Sequence, residues 1–315
     1  MEFSILADAF SKMESTTKRL ELTQHLVELF EKTPQDVISK IVYLLQGKLR
    51  PDFDGIELGV AEKLAIRAIA KSAGSDNAEK KIEDEYRKSG DLGHAASKIL
   101  EQKEQTTFMV QDITVERVYE NLFTIAKLEG SKTQDRKMKY ISGLLNDASP
   151  VEAKFILKIL LGTLRLGIAE NTVMDALAIA FTGNKENRKV LEHAYNVSSD
   201  LGKVAEIIAG KGLKGVEEFE INLFNPIRPM LADRVKSEEE AIEKLGTKFA
   251  AEYKLDGERV QLHVEGDKVV LFSRSLENIT SYYPDIVEKI PKAIQANKVI
   301  LEAEAVAINE NTGEF

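Results

Sequence analysis

Beyond a break at residues 220–233 and one further helix, from Gly246 onward, the spacing of apolar residues changes from three-and-four to two, and no single regular element satisfies both periods. Before the change, from Phe3 to about Leu213, apolar residues recur at helical spacing with few β-branched runs, as in Leu22, Leu26, Leu29 and Phe30. Thr33-Pro34 opens another helix, whose buried stripe is Val37, Ile38, Ile41, Val42, Leu44 and Leu45, with Pro34 tolerated in the first turn. Further helices are expected over 59–72, 78–89, 114–129, 133–146, 151–166, 172–181, 185–195 and 201–209. The loops between them are rich in Gly, Asp, Asn and Ser, the polar tract 101–107 reads as a solvated connection, and no repeat period suggests a solenoid.

Residues 220–233 break the helical pattern, because each proline of Asn225-Pro226-Ile227-Arg228-Pro229 biases its predecessor to an extended conformation. After one helix with Ser237 and Glu240 in capping-box spacing, the sequence predicts strands over 249–255, 259–264 and 269–273. The last two are joined by a tight hairpin through Glu265-Gly266-Asp267-Lys268. A helix over 284–290 and a strand over 299–308 follow, and the sequence stops at Phe315 with too few strands to cover both faces of a sheet. A length of 315 residues favours more than one core. The expectation is a multidomain chain: an all-α domain over 1–216, a linker over 217–233 and a truncated α+β domain with an antiparallel sheet over 234–315.

Composition narrows the chemistry. With no cysteine there can be no disulfide, thiolate zinc site or cysteine-held cluster. The start Met1-Glu2-Phe3-Ser4 has no basic leader region, and the best apolar stretch, 155–169, is interrupted by Lys158 and Arg165, so a cytoplasmic protein without a membrane span is expected. The net charge of −9 weighs against a nucleic-acid partner, although affinity depends on local rather than global charge. The four histidines, His25, His94, His193 and His263, are scattered and read as structural. Neither a Ser-His-Asp set nor a glycine fingerprint for phosphates is present.

The informative segment is Glu252-Tyr253-Lys254-Leu255-Asp256-Gly257-Glu258-Arg259. If it is a strand, Glu252, Lys254 and Asp256 share one face while Tyr253 and Leu255 point into the core; on the next strand Arg259, Gln261 and His263 share a face. A lysine is a nucleophile only as the free amine, which burial or nearby positive charge favours and flanking carboxylates oppose, so bound nucleotide and Mg²⁺ would have to change the balance. On spacing alone a surface hairpin with a Lys254–Asp256 ion pair is the preferred reading of the segment. Leu271-Phe272-Ser273-Arg274-Ser275 ends a strand on an arginine. In Leu301-Glu302-Ala303-Glu304-Ala305 two carboxylates share a face of an apolar strand, which is costly unless something cationic meets them; metal or ribose ligation is favoured over decoration, and an edge strand facing water would also explain them.

These segments, in order, resemble the nucleotidyltransferase motifs of ATP-dependent DNA ligases, whose first motif has the form Lys-x-Asp-Gly-x-Arg. Pro226-Ile227-Arg228-Pro229-Met230-Leu231-Ala232 resembles the approach to that domain, and Ala303 stands where the family often has glycine. Arg50-Pro51-Asp52-Phe53, residues 57–64 and Leu164-Arg165-Leu166-Gly167-Ile168 resemble the DNA-binding domain of the archaeal and eukaryotic replicative enzymes, so the resemblance covers essentially the whole chain. It implies an ATP-grasp-like adenylation domain that uses ATP and Mg²⁺. There Lys254 takes AMP from ATP, Asp256 orients a 3′-hydroxyl or water, Glu252 reads adenine, Arg259 and Arg274 contact ribose or phosphate, and Glu302 and Glu304 serve metal or ribose.

The partner implied is nicked double-stranded DNA, met in replication, repair and recombination by a monomer in the nucleoid, with a sliding clamp as a further candidate. For DNA, Arg165 and the run Gly210-Lys211-Gly212-Leu213-Lys214-Gly215 offer cations and backbone amides, although a glycine C-cap with a flexible loop, and a capping or ion-paired arginine, explain them too. RNA ligases, GTP-using capping enzymes and a non-catalytic DNA-binding fragment are the rival readings. The missing later motifs predict that this chain does not complete ligation, which a nick-sealing assay on it would check.

Overall fold

A computed structural model describes residues 1–75, 77–102, 112–130, 132–309 and 311–313. Most of the polar tract 101–107 lies outside the described residues. The chain divides into two compact units: Met1–Pro51 with Gly55–Tyr195 and Asp200–Phe219, and Asp52–Asp54 with Asn196–Ser199 and the described residues from Glu220 onward.

The first unit is helical, and its pairings follow the apolar stripes. Helix Arg19–Glu31 lies on Glu170–Thr182, Leu92–Glu101 on Pro150–Leu160, Ile38–Leu45 on Leu201–Glu217, and Glu62–Ala73 on Thr133–Asp147. Phe3, Phe10, Phe30 and Phe155 are fully buried, with Phe10 edge-on to Phe155 at 5.3 Å between ring centres. Helix Pro150–Leu160 starts on a capping box in which Ser149 and Glu152 satisfy each other's backbone amides. At its other end it stops at Leu160, short of the expected 166. There Gly162 takes φ 65° and the amides of Gly162 and Thr163 close onto the carbonyls of Ile159 and Lys158, a Schellman stop.

Other boundaries differ from the periodicity for similar local reasons. Residues 34–37 form a turn and the helix begins at Ile38; residues 185–195 divide into a 3-10 turn, Lys185–Asn187, and a helix, Arg188–Ser198. Helix Leu92–Glu101, capped by Asp91 through His94 N–H, was not expected. The run 210–215 is not a flexible loop: helical structure continues from Leu201 to Glu217 across a break at Gly212, where φ is 67° and ψ −167°. No helix among the described residues is long and apolar enough to cross a membrane.

In the second unit three strands, β1 (Glu258–Glu265), β2 (Lys268–Phe272) and β3 (Lys298–Ala305), form an antiparallel sheet in the order β2-β1-β3. Glu265 pairs with Lys268, which leaves Gly266-Asp267 as a two-residue hairpin loop. One face of the sheet, Val260, Leu262, Val264, Val269 and Leu271, forms a core with Ile279 and with Ile286, Val287 and Ile290 of helix Pro284–Ala293. The strand expected over 249–255 does not form. No strand among the described residues pairs with it, so there is no ladder to sort its side chains, and Tyr253 and Leu255, expected in the core, are 95% and 60% exposed.

Candidate active site

The opposite face of the sheet carries the polar residues. Arg259, Gln261 and His263 alternate along β1, and the register places Glu304 opposite Arg259 and Glu302 opposite Gln261. The Arg259 guanidinium reaches diagonally to the Glu302 carboxylate, which also accepts a bond from Gln261 Nε2 at 2.8 Å. Burial pushes the Glu302 carboxyl up, but the hydrogen bonds from Arg259 and Gln261 outweigh it and hold the group below its ordinary range. The cation that carboxylates on this strand call for is therefore, at Glu302, a neighbouring arginine.

Gly257 brings the preceding segment against the end of β3. A Cβ there would lie 2.7 Å from the Ala305 carbonyl oxygen and 2.8 Å from Val306 Cγ1, so only glycine permits the approach. The approach carries Lys254 to the edge of a hollow of about 1340 Å³ that opens over this sheet face. Arg274 lines the same hollow from a turn fixed by Ser273. The Ser273 N–H donates to the Glu277 carbonyl at 2.9 Å, and its hydroxyl accepts the Glu277 N–H at 3.2 Å.

Lys254, Arg259, Arg274, Glu302 and Glu304 all line this one hollow, whereas Glu252 and Asp256, both exposed, do not. Arg228, Arg234 and Tyr282 line it too, with no chemical motif of their own in the sequence to mark them. The two arginines bracket the Pro229-Met230-Leu231-Ala232 stretch, and that position was the available signal. With five basic and four acidic side chains around it, the hollow suits a ligand that is both anionic and rich in hydroxyls.

Magnesium binds through one or two carboxylates together with substrate phosphates. Glu304, which has no ion pair among the described residues, fits that need; Glu302 fits less well, since Arg259 and Gln261 already engage one of its oxygens. No group of three or more metal-ligating side chains occurs among the described residues. In the first unit Arg165 is exposed on the loop after Leu160, and Lys211 and Lys214 are exposed on either side of the Gly212 break.

Comparison with known proteins gives a consistent result. A sequence family described as "DNA ligase N terminus" matches residues 2–178, and one described as "ATP dependent DNA ligase domain" matches residues 229–315. Over the whole chain it is 82% identical to a DNA ligase of Nitrosopumilus maritimus and 67% identical to one of Cenarchaeum symbiosum. It is 49% identical to a protein named DNA ligase 2 from Thermofilum pendens. In each case the alignment covers all of this chain and 53% of the relative, so the chain spans about half the length of these proteins.

Proposed function

The chain belongs to the family of ATP-dependent DNA ligases, and from that premise we propose that the protein it comes from seals nicks in double-stranded DNA through AMP carried on Lys254. The observation that carries this reading is the convergence of Lys254, Arg259, Arg274 and Glu304 on one hollow over the sheet. The unprotonated Lys254 amine attacks the α-phosphorus of ATP; the new P–N bond forms as the bond to the bridging oxygen breaks and pyrophosphate leaves. Arg259 and Arg274 hold phosphate or ribose oxygens in line for that attack. Glu304 holds ribose, or Mg²⁺, whose chemistry here is to offset phosphate charge. AMP then passes to the 5′-phosphate of the nick, and the 3′-hydroxyl displaces it, with Asp256 orienting the hydroxyl and Glu252 reading adenine.

In this reading the helical unit grips the duplex around the nick through local cations, Arg165, Lys211 and Lys214 with the Gly212 backbone among them, despite the net charge of −9. The protein works as a monomer in the cytoplasm on nucleoid DNA, with a sliding clamp as a candidate partner. The test is nick sealing by the full-length protein with ATP or GTP. Sealing with ATP and not GTP is expected; sealing with GTP alone, or only of RNA, would replace this reading with one of its relatives in the same chemistry.

A further inference from the structure

The sheet face of the site contains two buried polar side chains that the proposed chemistry leaves unused. Gln261 is 4% exposed and His263 0%. The Phe224 N–H donates to His263 Nδ1 at 2.8 Å, and the Ile227 N–H donates to Gln261 Oε1 at 2.7 Å. Gln261 Nε2 donates to the Ile227 carbonyl at 3.1 Å and to the Glu302 carboxylate at 2.8 Å. Because Nδ1 accepts, the ring proton sits on Nε2, which is 2.9 Å from Gln261 Oε1 and donates to it. This single assignment satisfies both lone pairs of the Gln261 oxygen and both of its amide hydrogens. Buried networks with every member satisfied specify one geometry.

What they hold is strained. Phe224 takes φ 69°, a left-handed conformation uncommon for a bulky residue, and such strain persists only where the surroundings over-determine it. The Phe224 ring also lies under Lys268 Nζ, 3.6 Å from the ring centre. Directly after the held amides, residues 227–232 form one wall of the hollow, and Glu302, at the other end of the network, is the partner of Arg259.

We propose that Gln261 and His263 are positioning residues: they latch residues 224–227 onto the sheet and, through Glu302, set Arg259 at the wall where the nucleotide lies. The proposal rests on the adenylation reading above and adds residues that do not touch the nucleotide themselves. A pair that served only the core would change stability and leave nucleotide handling alone.

The experiment is the initial rate of AMP transfer to Lys254 against ATP concentration in the full-length protein, for wild type, Gln261→Leu, His263→Leu and His263→Asn. Gln261→Leu, of similar volume and without any of the four bonds, is expected to lower kcat/KM on the order of ten-fold, mainly through KM. His263→Asn, whose amide oxygen can accept the Phe224 N–H in place of Nδ1, is expected to recover part of the loss seen in His263→Leu. A folded Gln261→Leu protein with wild-type KM and kcat would overturn the latch. Wild-type protein that takes up no label would refute the ligase reading instead. If the leucine variants do not fold, His263→Asn decides in the same assay: a KM above that of wild type supports the latch, and wild-type KM and kcat, or Nδ1–H at His263 in ¹⁵N spectra of the wild-type chain, overturn it.

Discussion

At the residue scale the first motif owes its glycine to space. The missing Cβ of Gly257 is what lets the Lys254 segment meet the Ala305 carbonyl. Gly257→Ala is therefore expected to cost about 1–3 kcal/mol and to slow AMP transfer to Lys254, read by urea melts and by labelling. His263 gives a second prediction. Burial pushes its pKa down to about 4 from an ordinary 6.5, so between those values the unfolded chain binds a proton that the folded chain refuses. Its contribution, on the order of 3 kcal/mol, is whole above pH 6.5 and is lost as pH falls toward 4. The urea midpoint of the second unit should fall across that window in wild type and much less in His263→Asn; equal slopes would contradict the assignment. Glu302, Glu14 and Asp91, all held low, add their losses in the more acidic carboxylate range. Strict alternation made the shared face of Arg259, Gln261 and His263 readable from sequence. The partners of His263 and Gln261 were not readable, because they are backbone groups 39 and 34 residues away whose approach no local pattern encodes.

At the element scale, legibility followed the presence of a partner. Helix Ala78–Ser89 and strands β1 to β3 lie close to where periodicity puts them; β1 and β2 bury the face that gives the period, the helix buries Ala78 and Ile82, and β3 is held by its pairing along β1. The segment 249–255 has an equally strandlike sequence, but a strand exists only as half of a ladder, and among the described residues no strand pairs with it. Helix ends were read less well because they depend on caps. The Schellman stop at Gly162 shortens one helix, and helical structure resumes beyond the Gly212 break where a helix end and loop were expected. The Ser149–Glu152 box offers a direct check: Ser149→Ala should destabilise the first unit by about 1 kcal/mol in a urea melt, and no change would mean the box is dispensable.

At the scale of the whole molecule, an acidic chain belongs to a family that acts on DNA, and local charge must reconcile the two. If Lys211 and Lys214 meet phosphates, replacing each with Ala should weaken nicked-duplex binding and reduce the salt slope by about one per residue; unchanged slopes would move the contact elsewhere. The architecture, a helical unit followed by a small antiparallel sheet, was legible in the break over residues 220–233 and the change of period beyond Gly246. The hollow was not, because it is made by segments that meet only in the fold: residues 227–234, the Lys254 approach, the Arg274 turn and the ends of β1 and β3. In the proposed chemistry one amine in that hollow becomes a phosphoramidate. The most direct measurement is peptide mapping by mass spectrometry of the full-length protein after incubation with α-labelled ATP. Acid-labile AMP on Lys254, absent from Lys254→Ala, is expected; AMP on another residue, or label that survives Lys254→Ala, would rule that chemistry out.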